Sequence, residues 1–173
     1  MLVYLRTGYG KFTHLTMSRK ICITAVDGQT GALIGELLLT NGNFSEKLVK
    51  ICGLSLAPQS TKCAELSKIG IEIVPYILGK EWNVVSKLKS MGVDTICLIP
   101  PAHQNKFDIT RELVMATKKA NIPNVLCISS AGADLAMLDK QPRLKEFVEI
   151  EHLVMAAKSD TETTTGMSNV CIR

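Results

Sequence analysis

The stretch "ITAVDGQTG", Ile23 to Gly31, passes from apolar and β-branched residues into a loop punctuated by Gly28 and Gly31. A strand that ends in such a loop and opens a helix can bring bare backbone N–H groups, and the positive end of the helix dipole, against a diphosphate. Glycine matters there because side chains would block the approach. The spacing is Ala25-x-x-Gly28-x-x-Gly31, so the last two glycines of a G-x-x-G-x-x-G loop are present and alanine holds the first position. Alanine resists positive φ and adds a methyl group in the turn. Two readings stay open: a phosphate cradle, or glycines that serve only a tight turn and close helix packing.

Further candidates follow the strand ends. An acid at the end of the second strand would hold a ribose 2′-hydroxyl, and a base would meet a 2′-phosphate. The sequence offers Ser55-Leu56-Ala57 instead, with Lys62 the nearest cation one helical turn on. Ser55 or Ser60 can hydrogen-bond a phosphate and Lys62 can pair with it; the alternative for Lys62 is a solvated helix charge. Ser129 and Ser130 close the fifth strand at the carboxyl edge where ligands bind in open α/β sheets, and suit equally a cap for the "AGAD" turn. Tyr76-x-x-x-Lys80 has the spacing for a phenol activated by an ammonium, but it follows the third strand and Gly79 interrupts any helix, so the spacing reads as coincidence. His103 either lines a site or is a solvated loop histidine. His14, His103 and His152 lack metal-ligand spacing, and the 6 cysteines form neither CxxC nor CxxH, so no metal is expected. No serine–histidine–acid or paired-carboxylate arrangement emerges from the spacing, and the catalytic residues stay unassigned.

The elements that must position these groups alternate in kind, which is the pattern of βαβ units and a parallel sheet. Strands are expected at Lys20 to Val26, Leu48 to Leu56, Ile71 to Tyr76, Asp94 to Pro101 and Asn124 to Ser130, with "VCIR" opening a sixth. Between them the spacing predicts a helix over 31–41 with Leu33, Ile34, Leu37 and Leu38 on its inner stripe, and a short one after Pro58 that stops at Gly70. A third has Trp82, Val85, Leu88 and Met91 on one face; a fourth runs from Asp108, its N-cap, to Ala120, with Ile109, Leu113, Ala116 and Ala120 inward. A last helix over about 142–158 turns Phe147, Ile150, Val154 and Ala157 inward, and 159–169 is a polar loop. Strand five, nearly all apolar, is expected to be covered on both faces.

The chain of 173 residues is long enough for one domain with a sizeable core, and 46% apolar content argues against disorder. A net charge of +4 spread in pairs no longer than Lys118-Lys119 builds no basic stripe, which argues against nucleic acid as a partner. Cysteines within apolar runs suit a reduced, cytosolic chain. Neither a secretory signal nor a membrane span is found. Residues 1–18 lack periodicity and read as a loose extension, or as a misplaced start with Met17 the true beginning.

Together "ITAVDGQTGALIGELLL", "GVDTICLIPPA", "NVLCISSAGAD" and "QPRLKEFVEIEHLVMAAKSD" followed by "NVCIR" make the chain from Arg19 to Arg173 resemble the NmrA-like proteins of the atypical short-chain dehydrogenase group, in their fungal branch. The resemblance implies a doubly wound, mostly parallel α/β Rossmann domain in three layers that binds NADP or NAD. Some members are redox-sensing regulators with a protein partner and others are reductases; location would be cytoplasmic, with the nucleus a second compartment. By position, Gly28, Gln29, Thr30 and Gly31 would surround the pyrophosphate, and Pro100 and Pro101 would flank the adenine and ribose. Ser129 and Ser130 would lie near the nicotinamide, and Lys145 near its ribose. Three residues depart from the pattern: Ala25 for the first glycine, Leu56 where many members carry the arginine that favours NADP, and Tyr76 where an aspartate often follows strand three. Similar proteins also continue beyond the sixth strand into a small lobe that closes the substrate cleft, so ending at Arg173 implies a truncated reading or a cofactor-binding fragment. Function is thus expected to be dinucleotide binding by a regulator or incomplete reductase, with a working reductase of a small carbonyl or quinone, or an interaction module without cofactor, as alternatives.

Overall fold

The computed structural model describes residues 18–157 and 168–173, so the expectations for the N-terminal extension, His14 and most of the 159–169 loop lie outside the described residues. Six strands alternate with helices in chain order: β1 (Arg19–Ile23), α1 (Gln29–Thr40), a one-turn α2 (Gly42–Ser45), β2 (Leu48–Ser55), α3 (Thr61–Lys68), β3 (Glu72–Pro75), α4 (Glu81–Met91), β4 (Thr95–Leu98), α5 (Lys106–Lys119), β5 (Asn124–Ile128), α6 (Pro142–Ala156) and β6 (Ser168–Ile172). The sheet order is β3-β2-β1-β4-β5-β6 and every pairing is parallel. This is the doubly wound Rossmann order, and the direction of winding reverses between β1 and β4.

The two faces carry separate cores. On one, Ala32 of α1 and Leu66 of α3 pack against Ile23, Ile51, Cys97 and Ile99. On the other, Val84 and Leu88 of α4, Ile109 and Leu113 of α5, and Ile150 and Val154 of α6 cover Cys22, Leu54, Ile96 and Leu98. Three layers result, helices on a sheet on helices.

Several sequence expectations need correction, each for a packing reason. The α1 stripe holds only in part: Ile34 and Leu38 are half-buried against the core, but Leu33 and Leu37 are 59% and 53% exposed, and the fully buried positions are Gly31, Ala32 and Gly35. A Cβ at Gly35 would lie 2.6 Å from Ile71 Cδ1, so at that position the helix sits too close to its neighbour for any side chain. Trp82 is 70% exposed and Val84 takes the inner position on α4. Asn105, not Asp108, precedes α5, and Asp108 lies in its first turn paired with Arg111. The strands are also shorter than their apolar runs, because β1 leaves the sheet at Thr24 and β4 at Ile99. On β5, Val125 and Cys127 are buried, whereas Leu126 and Ile128 are only half-buried. Their register partners Val170 and Ile172 on β6 are exposed, so the α1/α3 face of this strand pair is incompletely covered among the described residues.

Candidate functional site

The site begins where β1 ends. Thr24 is fully buried, and its Oγ1 both accepts from the Ile99 amide (2.7 Å) and donates to the Ile99 carbonyl (3.0 Å), tying the ends of β1 and β4 together. Val26 N–H donates to the Leu54 carbonyl on the other side (3.2 Å), and the Val26 side chain fills the place that a Cβ at Gly53 would occupy, within 2.4 Å of its Cγ1. The chain between these anchors turns through Ala25, which adopts φ 46°. The position without its glycine therefore still takes the left-handed conformation, at a cost of about 1–2 kcal/mol.

Gly28 caps α1 without a side chain, and its own N–H is spent on the Ala25 carbonyl (3.0 Å). Gly31 is buried: a Cβ there would lie 2.4 Å from Ala25 O and 2.8 Å from Val26 Cα, so this glycine lets helix and loop touch. Gln29 and Thr30 are exposed, and their first-turn N–H groups have no intrahelical acceptor. Both readings of the glycines thus have a structural counterpart. Gly31 serves packing, while the mouth formed by Gly28, Gln29 and Thr30 is exposed among the described residues and presents the positive end of the helix dipole. One charge opposes an anion there, that of the half-buried Asp27, which the sequence reading passed over.

Beside this mouth, between the ends of β2 and β3 and the β4–α5 segment, lies an open cavity of about 210 Å³ whose walls include Gly28, Leu54, Leu56, Ile99, Pro101 and His103. It is mainly apolar, as suits the faces of a planar ring. Pro101 lines it; Pro100 is half-buried and does not. Tyr76 also lines it, almost fully buried, with its hydroxyl lacking a hydrogen-bond partner among the described residues. Burial, and then the Glu112 carboxylate, push the Tyr76 phenol well above its ordinary pKa, so it stays neutral and is no base. His103 is exposed, and its Nδ1 accepts from the Asn105 amide (3.0 Å).

Ser55 and Lys62 do not join the mouth. Ser55 is buried with its Oγ accepting from the Ala57 amide (2.9 Å), a turn within the chain's own backbone. Ser60 caps α3 through the Cys63 amide (3.2 Å). Lys62 pairs with Glu65 (2.9 Å) and reaches Glu36 on α1 (3.9 Å), as a helix-surface charge does.

Across the winding reversal the chemistry changes. Ser129, just after β5, donates through Oγ to Glu151 Oε1 of α6 (2.5 Å), and its N–H donates to the Ile172 carbonyl (2.7 Å). Glu151 is buried and clasped by Arg173, with Nε to Oε1 at 2.9 Å and an Nη to Oε2 at 2.6 Å. Hydrogen bonding to Arg173, and secondarily to Ser129, holds the Glu151 carboxyl below its usual range despite burial. Arg173 also meets Asp134 at 3.3 Å. Ser130 is half-buried, and its carbonyl accepts from the Ala133 amide (3.2 Å). Lys145 is half-buried on α6 and forms no ion pair among the described residues.

Lys106 is another residue that sequence reasoning missed. Almost fully buried in the first turn of α5, it donates to the Arg143 carbonyl (2.5 Å), meets Glu146 (3.2 Å) and lies 4.0 Å from the Phe147 ring centre. Arg143 in turn donates to the His103 carbonyl (3.1 Å), so the β4–α5 loop is latched to α6. Nothing in "HQNKFD" distinguishes such a lysine from a solvated one. The 6 cysteines are free thiols; burial raises Cys97 to about 11, and no group of metal ligands forms among the described residues. No helix among them is long and apolar enough to cross a membrane.

No family model and no curated protein sequence matches the chain. Its fold does match solved structures. Triphenylmethane reductase of Citrobacter sp., complexed with NADP(H), is 17% identical with a TM-score of 0.69 over 88% of this chain and 48% of that one. The NADPH-dependent quinone oxidoreductase of Escherichia coli, complexed with NADPH, is 25% identical with a TM-score of 0.65 over 79% and 45%. The enzyme WbmH of Bordetella bronchiseptica, in complex with NAD+, is 15% identical with a TM-score of 0.62 over 90% and 55%. The chain spans about half the length of each structure. These likenesses establish an α/β Rossmann-like fold whose solved examples include nicotinamide-dinucleotide complexes.

Proposed function

We propose that this chain binds a nicotinamide dinucleotide, NADP or NAD, along the carboxyl edge of its sheet, as an NmrA-like redox-sensing regulator or an incomplete reductase acting in the cytoplasm or nucleus. The observation that carries the reading is the bare helix mouth at Gly28 to Thr30, at the winding reversal and beside an open apolar cavity. The residues present suit the group. First-turn amides at Gln29 and Thr30 would hold the diphosphate, and Gly28 keeps its approach clear of a side chain. Leu54, Leu56, Ile99 and Pro101 would enclose the adenine, and Ser129, Ser130 and Lys145 would border the nicotinamide half. Ser55 and Lys62, engaged within the chain, would contribute through the shape of the β2–α3 turn. Such a cofactor supplies hydride transfer when bound; this chain's own contribution is to bind and orient it.

Calorimetric titration with NADP and NAD tests the reading, with heat expected from at least one. No heat from either at millimolar ligand would end it and leave an interaction module. A second reading, an active reductase of a small carbonyl or quinone, is favoured by the likeness to the quinone oxidoreductase. Steady oxidation of NADPH in the presence of a quinone panel would promote it.

A further inference from the structure

Ser129 has no proton left to give. Its N–H is committed to the Ile172 carbonyl and its O–H to Glu151 Oε1. Glu151 cannot be the donor in that second bond, because two bonds from Arg173 hold it ionised and an ionised carboxylate only accepts. The Ser129 hydroxyl is thereby locked in one direction. What remains for a ligand is its lone pairs.

The placement limits what those lone pairs can meet. In a doubly wound sheet a dinucleotide lies across the winding reversal, its adenosine ribose toward the end of the second strand. Here the cavity reaches the end of β2 through Leu54 and Leu56, and Ser129 lies in the opposite direction, two strand spacings or roughly 10 Å from β1. The ribose hydroxyls of a nicotinamide dinucleotide accept as readily as they donate and so do not require an acceptor here, whereas its donor-only groups are the adenine and carboxamide amines. The adenine is directed to the cavity, which leaves the carboxamide.

We infer that Ser129 reads the carboxamide amine of the nicotinamide ring as a hydrogen-bond acceptor, and that Glu151, held by Arg173, is the positioning residue that fixes it in that role. The inference rests on the cofactor reading above. It also means that Ser129 does not donate a hydrogen bond to a substrate carbonyl while Glu151 is ionised.

The test is a binding series on the full chain, with no turnover required. The better-bound of NAD and NADP is compared with its thionicotinamide analogue, which keeps the N–H donor, and its acetylpyridine analogue, whose methyl ketone has none. The acetylpyridine form is expected to bind about three- to tenfold more weakly than the parent, the size of one neutral hydrogen bond, and the thionicotinamide form within about twofold. In Ser129→Ala the gap should close. In Glu151→Gln it should narrow, because the hydroxyl is released to donate to the ketone. Ser129→Ala removes only a hydroxyl and keeps the test informative should Glu151→Gln fail to fold. Equal binding of parent and acetylpyridine forms by the wild type, or a gap that survives in Ser129→Ala, overturns the inference and leaves dinucleotide binding standing. Failure of every dinucleotide to bind ends the cofactor reading as well.

Discussion

Around the helix mouth the cavity walls are mainly apolar, the loop is anchored by the Thr24 hydroxyl and by backbone bonds, and Tyr76 carries a buried hydroxyl without a hydrogen-bond partner among the described residues. On the β5–β6 side the opposite holds: Ser129, Glu151 and Arg173 satisfy one another through charge-assisted bonds. The first end depends on shape and the second on a buried ion pair, so the two should fail differently. Shape at the first end is fixed by close approaches at Gly31 and Gly53, where an added Cβ would lie 2.4 Å from its neighbours, and damage there is steric and independent of pH. The ion pair at the second end is lost by protonation, and its failure should follow pH.

The largest effect is expected at Gly31. Gly31→Ala drives a Cβ into Ala25 O and Val26 Cα, backbone atoms that cannot rotate away. A destabilisation of about 2 kcal/mol is expected, read from the urea midpoint, together with loss of dinucleotide heat. Gly42→Ala, where a Cβ would meet nothing within 4 Å, is the control and should shift stability by no more than about 0.5 kcal/mol. A tolerated Gly31→Ala would mean that α1 does not press on the loop as described.

At the other end the signature is an acid limb. The Glu151 carboxyl is depressed in the fold by Arg173, so the unfolded state binds its proton more tightly. Its stabilisation is complete above the unfolded pKa near 4.5 and is lost as pH falls through the lower folded value. Glu151→Gln should therefore lower the denaturation midpoint at neutral pH and lose less on acidification, so that the two curves converge below about pH 4.5. Parallel curves would show that the pair contributes nothing that depends on its charge.

These two ends were not equally legible in the sequence. The alternation of apolar runs was enough for the parallel sheet, and the strand–glycine–helix order was enough to mark the first end. At the second end Ser129 was legible as a strand-end candidate, but its clasp was not, because Ser129, Glu151 and Arg173 are 22 residues apart in each step, and only the crossing of α6 and the return of the chain into β6 bring them together. Lys106 was hidden for a similar reason, since its burial is made by Arg143, Glu146 and Phe147 from another helix. The partly misplaced α1 stripe has a different origin: hydrophobic periodicity assumes that the largest apolar side chains face inward, and here the line of closest approach is held by Gly31, Ala32 and Gly35, with Ile34 and Leu38 packing at its flank.

A smaller effect tests the neutrality of the first end. Leu56 lines the cavity just after β2, where the chain offers neither an acid nor a base to the ribose that the proposed cofactor would place there. Leu56→Arg introduces a fork suited to a 2′-phosphate and should shift the NADP-to-NAD affinity ratio by about tenfold toward NADP, with little change for NAD. Equal gains for both cofactors would indicate a general attraction for anions rather than a reading of the 2′ position.

The smallest expected change is at Ala25, and it separates conformational strain from packing at the same end. With φ at 46° the residue stands in left-handed backbone that costs an L-side chain about 1–2 kcal/mol, and glycine would be free of that cost. Glycine also widens the unfolded ensemble, which offsets about 0.4–1 kcal/mol. Ala25→Gly should therefore raise the urea midpoint by an amount worth about 0.5–1 kcal/mol. The Ala25 methyl is partly buried against the Ile23–Ile99 core, and a net loss of stability in the variant would show that this contact outweighs the strain. In that event the alanine belongs to the core that anchors the loop, and the departure from glycine is a packing choice made at the expense of backbone comfort.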